Sequence, residues 1–203
     1  MSAFTELPDD ALIRHCQERL PDDARAFEAL VIRYREQVYA IAYRMMGNAP
    51  EAEDLTQEVF IKVYRSIKRF RGEAAFSTWL YRITVNTCLD SLDKRQRRPQ
   101  PVDSDFTEAE EIHLTHLGQP WETSPEQAVL RRELLECIRE TMMALQARER
   151  LLLTLRDVQG LEYQKIADIL NISMSALKMR IHRARLAFRQ IFARLCEEFL
   201  SSA

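Results

Sequence analysis

The chain has 203 residues, 46% of them hydrophobic, which is ample for one buried core or two small ones and excludes a wholly disordered polymer. Its formal charge of −2 hides blocks: residues 62–101 hold ten basic and three acidic side chains, 102–128 none and seven, and 163–189 six and one. Two cationic islands parted by an acidic bridge suit contact with a polyanion at two places, which an enzyme with a single site rarely needs.

Taken in order, residues 22–46 place Phe27, Leu30, Val31, Tyr34, Val38, Ile41 and Met45 at helical spacing, and Gly47 ends the pattern. Asn48 or Ala49 caps the next helix, with Pro50 near its first position and Glu51, Glu53 and Asp54 in a first turn that favours carboxylates. Running to about Phe70, it buries Leu55, Val59, Val63 and Ile67 and leaves Asp54, Gln57, Glu58 and Lys62 outward. Arg71-Gly72-Glu73 breaks the pattern. A helix over 75–97 follows whose apolar side changes midway, from Phe76, Trp79, Leu80 and Ile83 to Val85, Cys88, Leu89 and Leu92, as in a helix packed on two neighbours. Arg82, Asn86, Asp90 and Asp93 form a polar ridge on it, ending in Lys94-Arg95-Gln96-Arg97-Arg98. An exposed asparagine alone is more often a solvated amide than a ligand.

Pro99 and Pro101 end that helix, and 99–123 is acidic, proline-bearing and aperiodic, the signature of a flexible linker, with Trp121 expected to pack on a neighbouring domain. Ser124-Pro125-Glu126-Gln127 reads as a capping box opening a helix with Val129, Leu134, Leu135, Ile138 and Met142. A helix with Leu151, Leu152, Leu155 and Val158 is stopped by Gly160. Then come a short apolar helix over 163–170, the turn Asn171-Ile172-Ser173, and a final helix whose inner face is Leu177, Ile181, Ala184, Phe188, Ile191 and Leu195. Its outer stripe holds Lys178, His182, Arg185 and Arg189, flanked by Met179 and Arg183. A charge run is usually just a solvated face, but cations directly after a tight turn stand where a recognition helix needs them.

The expected fold is therefore all-α, with two small helical domains: 1–98 and 124–203, joined by 99–123. Cys16, Cys88, Cys137 and Cys196 lack metal-ligand spacing and are expected as reduced packing residues, and no cofactor is expected. The first residues show no leader pattern and no run reaches membrane-spanning length, so the expectation is a soluble, cytoplasmic protein without membrane insertion.

Three stretches in this order resemble the extracytoplasmic-function (ECF) group of RNA polymerase sigma factors in the sigma-70 family. They are Asp54-Leu55-Thr56-Gln57-Glu58-Val59-Phe60, then Phe70-Arg71-Gly72-Glu73 with Phe76-Ser77-Thr78-Trp79-Leu80-Tyr81-Arg82-Ile83 and Asn86, then the helix-turn-helix ending Arg183-Ala184-Arg185. The resemblance implies a region 2 helical bundle in the first domain and a region 4 helix-turn-helix in the second. It implies a sigma factor that binds core RNA polymerase and directs promoter-specific initiation, with no catalytic residue. Asp54, Leu55, Gln57 and Glu58 would meet the polymerase clamp coiled coil. Arg71, Phe76, Arg82, Asn86, Lys94, Arg95, Arg97 and Arg98 would meet the −10 element, where an extruded base is held. Ser175, Ala176, Lys178, Met179, Arg180, His182, Arg183 and Arg185 would meet the −35 element. The polymerase flap and an anti-sigma protein are further implied partners.

The sequence departs from that pattern in four places. Glu162 and Lys165 replace a capping box, Ala176 replaces a hydroxyl residue, and Met179 replaces a small polar one, which bears on −35 preference. The alternative is a stand-alone helix-turn-helix regulator with a sensor domain, which would shift promoter DNA without polymerase. An enzyme is the weaker rival, because no nucleophile elbow, phosphate loop or metal-binding helix is present and His15, His113, His116 and His182 form no catalytic grouping.

Overall fold

The structure, a computed structural model, describes residues 4–97 and 125–197. The linker, Trp121, Arg98 and the Ser124 cap lie outside the described residues. Among the described residues every regular element is helical: α1 (Asp9–Arg19), α2 (Arg25–Met46), α3 (Ala49–Ser66), a 3-10 turn (Ile67–Arg69), α4 (Phe76–Arg97), α5 (Pro125–Ala144), α6 (Ala147–Leu153), a π-helical turn (Thr154–Val158), α7 (Tyr163–Leu170) and α8 (Met174–Leu195).

The caps follow local chemistry. Gly47 ends α2 in the left-handed region at φ 82° and returns its N–H to the Tyr43 carbonyl. Asn48 then accepts the Glu51 N–H at 2.9 Å and opens α3. Helix α1 was not anticipated, although Leu12, Ile13, Cys16 and Leu20 have helical spacing and are buried. The helix expected through Val158 instead widens after Leu153. Gln159 bonds back five residues to Thr154, and Arg156 secures the Leu161 carbonyl at 2.9 Å.

Helices α1 to α4 enclose one apolar cluster containing Leu12, Leu30, Val38, Val59, Val63, Ile67, Phe76 and Leu80. The second side of α4, read from the sequence as facing another neighbour, enters a different cluster. There Tyr81, Val85 and Cys88 meet Met45 and Leu55 from their own bundle and Leu151, Leu155, Ile166 and Leu177 from the C-terminal helices. The two helical domains thus share a continuous core at their contact. Burial of these side chains at roughly 25 cal/mol per Å² is the main attraction across it.

Arg150 is a buried polar anchor of that contact. It is only 7% exposed. Its guanidinium donates to the Met45 carbonyl at the end of α2 and to the Met143 and Leu145 carbonyls at 2.9 and 3.2 Å. Burial, and then the nearby Arg95, press its pKa below the usual arginine value, and these carbonyls offset the desolvation. The expectation of four reduced cysteines is corrected at one pair. Cys137 on α5 and Cys196 just past α8 form a disulfide with Cα atoms 6.0 Å apart, while Cys16 and Cys88 are free and buried. These two cysteines are 59 residues apart in sequence, so only the packing of α5 on α8 brings them together.

Candidate nucleic-acid interface

Two surfaces carry the residues singled out from the sequence. On the N-terminal bundle, Phe70 begins the irregular loop between the 3-10 turn and α4, and its ring lies 5.0 Å from Trp79 at a 50° tilt. A cavity of about 170 Å³ opens beside these rings, with Arg69, Arg71 and Arg82 around it and Glu73 and Ala74 closing one side. A tilted aromatic pair under a cationic rim offers stacking to a planar base and counter-charge to its phosphates. Phe76 does not lie open to DNA as expected. It is 4% exposed and packs edge-on against Tyr34 and Phe70, so it supports the cavity from within the core.

The other members of this set are distributed along α4. Asn86 is exposed one turn beyond Arg82, and Lys94 and Arg97 are exposed near the helix end. Arg95 is instead drawn to Glu51 on α3 at 3.2 Å. Arg82 makes the most consequential contact, because its Nε and Nη2 both donate to the Asp168 carbonyl on α7, the Nε at 2.9 Å. Beside it the Lys165 ammonium sits 5.1 Å from the centre of the Tyr81 ring. Lys165, one of the departures from the family pattern, therefore has a partner on the other domain.

The α3 edge also sorts by burial. Asp54, Gln57 and Glu58 are exposed, with Glu58 paired to Lys62 at 2.8 Å. Leu55 is 4% exposed and belongs to the core, so its side chain is not available to a partner as expected. Ile61, 50% exposed, and Tyr64 extend the same edge. Sequence reasoning missed them, and their spacing of four and seven from Gln57 was the available signal.

On the C-terminal helices, Asn171 adopts φ 51° and the Ile172 N–H returns to the Ala167 carbonyl, closing α7 tightly. Ser173 caps α8 by accepting the Ala176 N–H at 3.3 Å. Glu162 makes no side-chain cap for α7, as its departure from the pattern implies. With Leu177, Ile181 and Ala184 inside, Lys178, Met179, Arg180, His182 and Arg183 face outward, and Met179 is 57% exposed. Ser175 is exposed and shares a hydrogen bond with Ser173, while Ala176 is half-buried. Arg185 forks onto the Asp157 carboxylate of the π-helical turn, a contact that raises its pKa further. Next to it lies an apolar groove of about 330 Å³ between Ile138, Met142, Leu153, Val158 and Phe188, which the sequence did not reveal.

A bundle with a cationic cavity beside two aromatic rings and a helix-turn-helix with an exposed cationic helix define a two-module protein of the kind that binds DNA. Comparison with known proteins agrees. Residues 30–98 match the family Sigma-70 region 2 and residues 135–188 match Sigma-70, region 4. The chain is 38% identical to the RNA polymerase sigma-H factor of Pseudomonas aeruginosa over 96% of its own length and 99% of that protein's. It is also 38% identical to the ECF RNA polymerase sigma-E factor of Escherichia coli, over 89% and 92% of the two chains. The fold resembles the sigma factor RpoE of Bartonella quintana, solved with the anti-sigma factor NepR, with a TM-score of 0.59 at 19% identity over 81% and 95% of the chains. The chain belongs to the sigma-70 family of RNA polymerase sigma factors, in its ECF group.

Proposed function

We propose that the chain binds core RNA polymerase and selects promoters by holding the −10 element on α4 and the −35 element on α8, acting as a non-catalytic initiation factor in the cytoplasm. The observation that carries this reading is the outer face of α8. Five solvent-facing positions of suitable chemistry, Lys178, Met179, Arg180, His182 and Arg183, follow a capped turn, while the opposite face is buried to 1% exposure or less at Leu177, Ile181 and Ala184. Lys178, Met179, His182 and Arg183 would face base edges, and Arg180 and Arg185 the backbone, Arg185 after release from Asp157.

At the −10 element, extruding a base costs a few kcal/mol of stacking and pairing, and stacking on an aromatic platform returns about 1 to 3 kcal/mol. Phe70 and Trp79 would form that platform, Asn86 would offer both a donor and an acceptor to a base edge, and Arg71, Lys94 and Arg97 would supply phosphate contacts. The exposed edge of Asp54, Gln57, Glu58, Ile61 and Tyr64 would dock on the polymerase clamp, and the groove at Phe188 would accept apolar side chains of the flap. An anti-sigma protein covering these same polymerase-binding surfaces would be an inhibitor.

In vitro transcription with core polymerase over a randomised promoter library tests the whole reading. Enrichment of two spaced elements is expected. Failure to confer any start-site choice, or tight sequence-specific binding without polymerase, would refute it and favour a stand-alone regulator.

A further inference from the structure

Helix α1 takes no part in the function proposed above, yet one of its side chains reaches the cavity's backbone. Gln17, half-buried near the end of α1, points its amide at the segment joining α3 to α4. Its Nε2 donates to the Phe70 carbonyl at 2.8 Å and to the Ile67 carbonyl at 3.2 Å. These are its only two amide hydrogens, and both acceptors are more than fifty residues away or at that limit.

The two carbonyls bracket the 3-10 turn and lie where the chain enters the cavity loop. Beyond Phe70 the loop is held loosely. Arg71 and Glu73 are mostly solvent-exposed with a long 3.8 Å pairing, and Gly72 sits at φ 71° with open space around it. At the far end the Ala75 carbonyl accepts the Thr78 and Trp79 N–H groups that begin α4. Gln17 is therefore a side-chain fastening at the Phe70 end, beside the Phe70 N–H that bonds the Ile67 carbonyl at 3.1 Å. It stands on a firm base, because Leu12, Ile13 and Cys16 are buried and the Asp9 carboxylate binds both Tyr34 and Arg33 from α2.

We propose that Gln17 is a positioning residue for −10 recognition, holding the Phe70 backbone so that the Phe70–Trp79 cavity keeps the shape an extruded base requires. This rests on the reading of that cavity as the base site. Gln17 touches no DNA; it acts through Phe70. A glutamine that merely stabilised the bundle would affect all promoters alike, whereas a positioning role is tied to the base in the cavity.

The test uses the full chain with core polymerase on promoters carrying each base, or an abasic sugar, at the extruded −10 position. Gln17→Met keeps the length and removes the donor; Gln17→Glu keeps the length and turns a carboxylate toward two carbonyls. The wild-type protein is expected to lose activity on the abasic promoter. Both variants are expected to lose at least about 2- to 12-fold on the preferred base, the span of the Phe70 hydrogen bond alone, with Gln17→Glu losing the more, and to match wild type on the abasic promoter. Thermal melting checks that each variant folds, and polymerase affinity is expected to stay at the wild-type value.

A loss of equal size on intact and abasic promoters, or no loss on either, overturns the positioning role while leaving the base-site reading intact. A wild-type protein indifferent to base removal overturns the base site, and the role of Gln17 with it. If Gln17→Met folds poorly, Gln17→Glu on the same promoter pair gives the same decision.

Discussion

Asn86 and Arg183 make opposite demands on experiment. An exposed amide that reads a base should matter only where that base is present, so Asn86→Ala is expected to lower transcription according to the −10 sequence while polymerase binding stays unchanged. Loss of equal size on every −10 variant would remove Asn86 from base reading. Arg183→Ala is expected to cost about 1 to 3 kcal/mol and relax one −35 position if the guanidinium forks onto a base. A uniform loss with a shallower salt dependence of binding would place it on phosphate instead. The buried thiols add a pH effect. Burial pushes Cys88 from its ordinary 9.0 up to about 12 and Cys16 up to about 11. The unfolded chain then sheds these protons near pH 9 while the folded chain keeps them, so stability falls as pH rises from 9 toward those values. Urea midpoints measured from pH 8 to 11 are expected to decline, and Cys88→Ala to flatten part of the decline.

At the scale of the element, the ends of helices control where the interface residues point. Gly47 terminates α2 at φ 82°, and a Cβ there would lie 2.6 Å from the methyl of Met143 on α5. Left-handed backbone costs an alanine about 1 to 2 kcal/mol, and the Met143 end must also move. Gly160 has φ 66° but open space around it. Gly47→Ala is therefore expected to destabilise more than Gly160→Ala in equilibrium unfolding, and equal losses would show that the Met143 contact yields freely. Much of this scale was legible beforehand: a cap at Asn48 or Ala49, of which the structure takes Asn48, the Gly47 and Gly160 stops, the Ser173 turn and the two-sided α4 all follow from spacing and backbone chemistry. The π-helical turn was not, because a five-residue return bond leaves the apolar spacing of Leu151, Leu152 and Leu155 unchanged.

At the scale of the molecule, the two helical modules are in contact. Arg82 is held by the Asp168 carbonyl, and Tyr81 is covered by Lys165. Elements named −10 and −35 lie about 25 base pairs apart, roughly 85 Å along a duplex at 3.4 Å per pair, so both cannot be engaged while α4 touches α7. The proposed function thus requires separation of the modules, at the cost of re-exposing the apolar surface they share and the Met45 carbonyl held by Arg150. The double variant Arg82→Ala, Lys165→Ala is expected to open more readily. Hydrogen exchange should speed up in the 81–92 part of α4 while α1 and the first half of α2 stay protected. Unchanged exchange there would mean that these two polar contacts add nothing to the apolar seam.

What the sequence determined by itself was helicity, the division into two modules, the faces that must be buried and the cationic faces left over, since all of these depend on periodicity, caps and charge within about twenty residues of chain. Apolar spacing put Leu55 and Phe76 on buried faces, where they are, whereas the resemblance set both at interfaces, because motif membership does not distinguish a residue that supports a surface from one that forms it. Only tertiary structure decided that Arg82 and Lys165 bind across the domain boundary, that Cys137 meets Cys196, and that Gln17 reaches Phe70. Those pairings join positions far apart in sequence, and their partners are set by how whole helices pack, which no local pattern encodes.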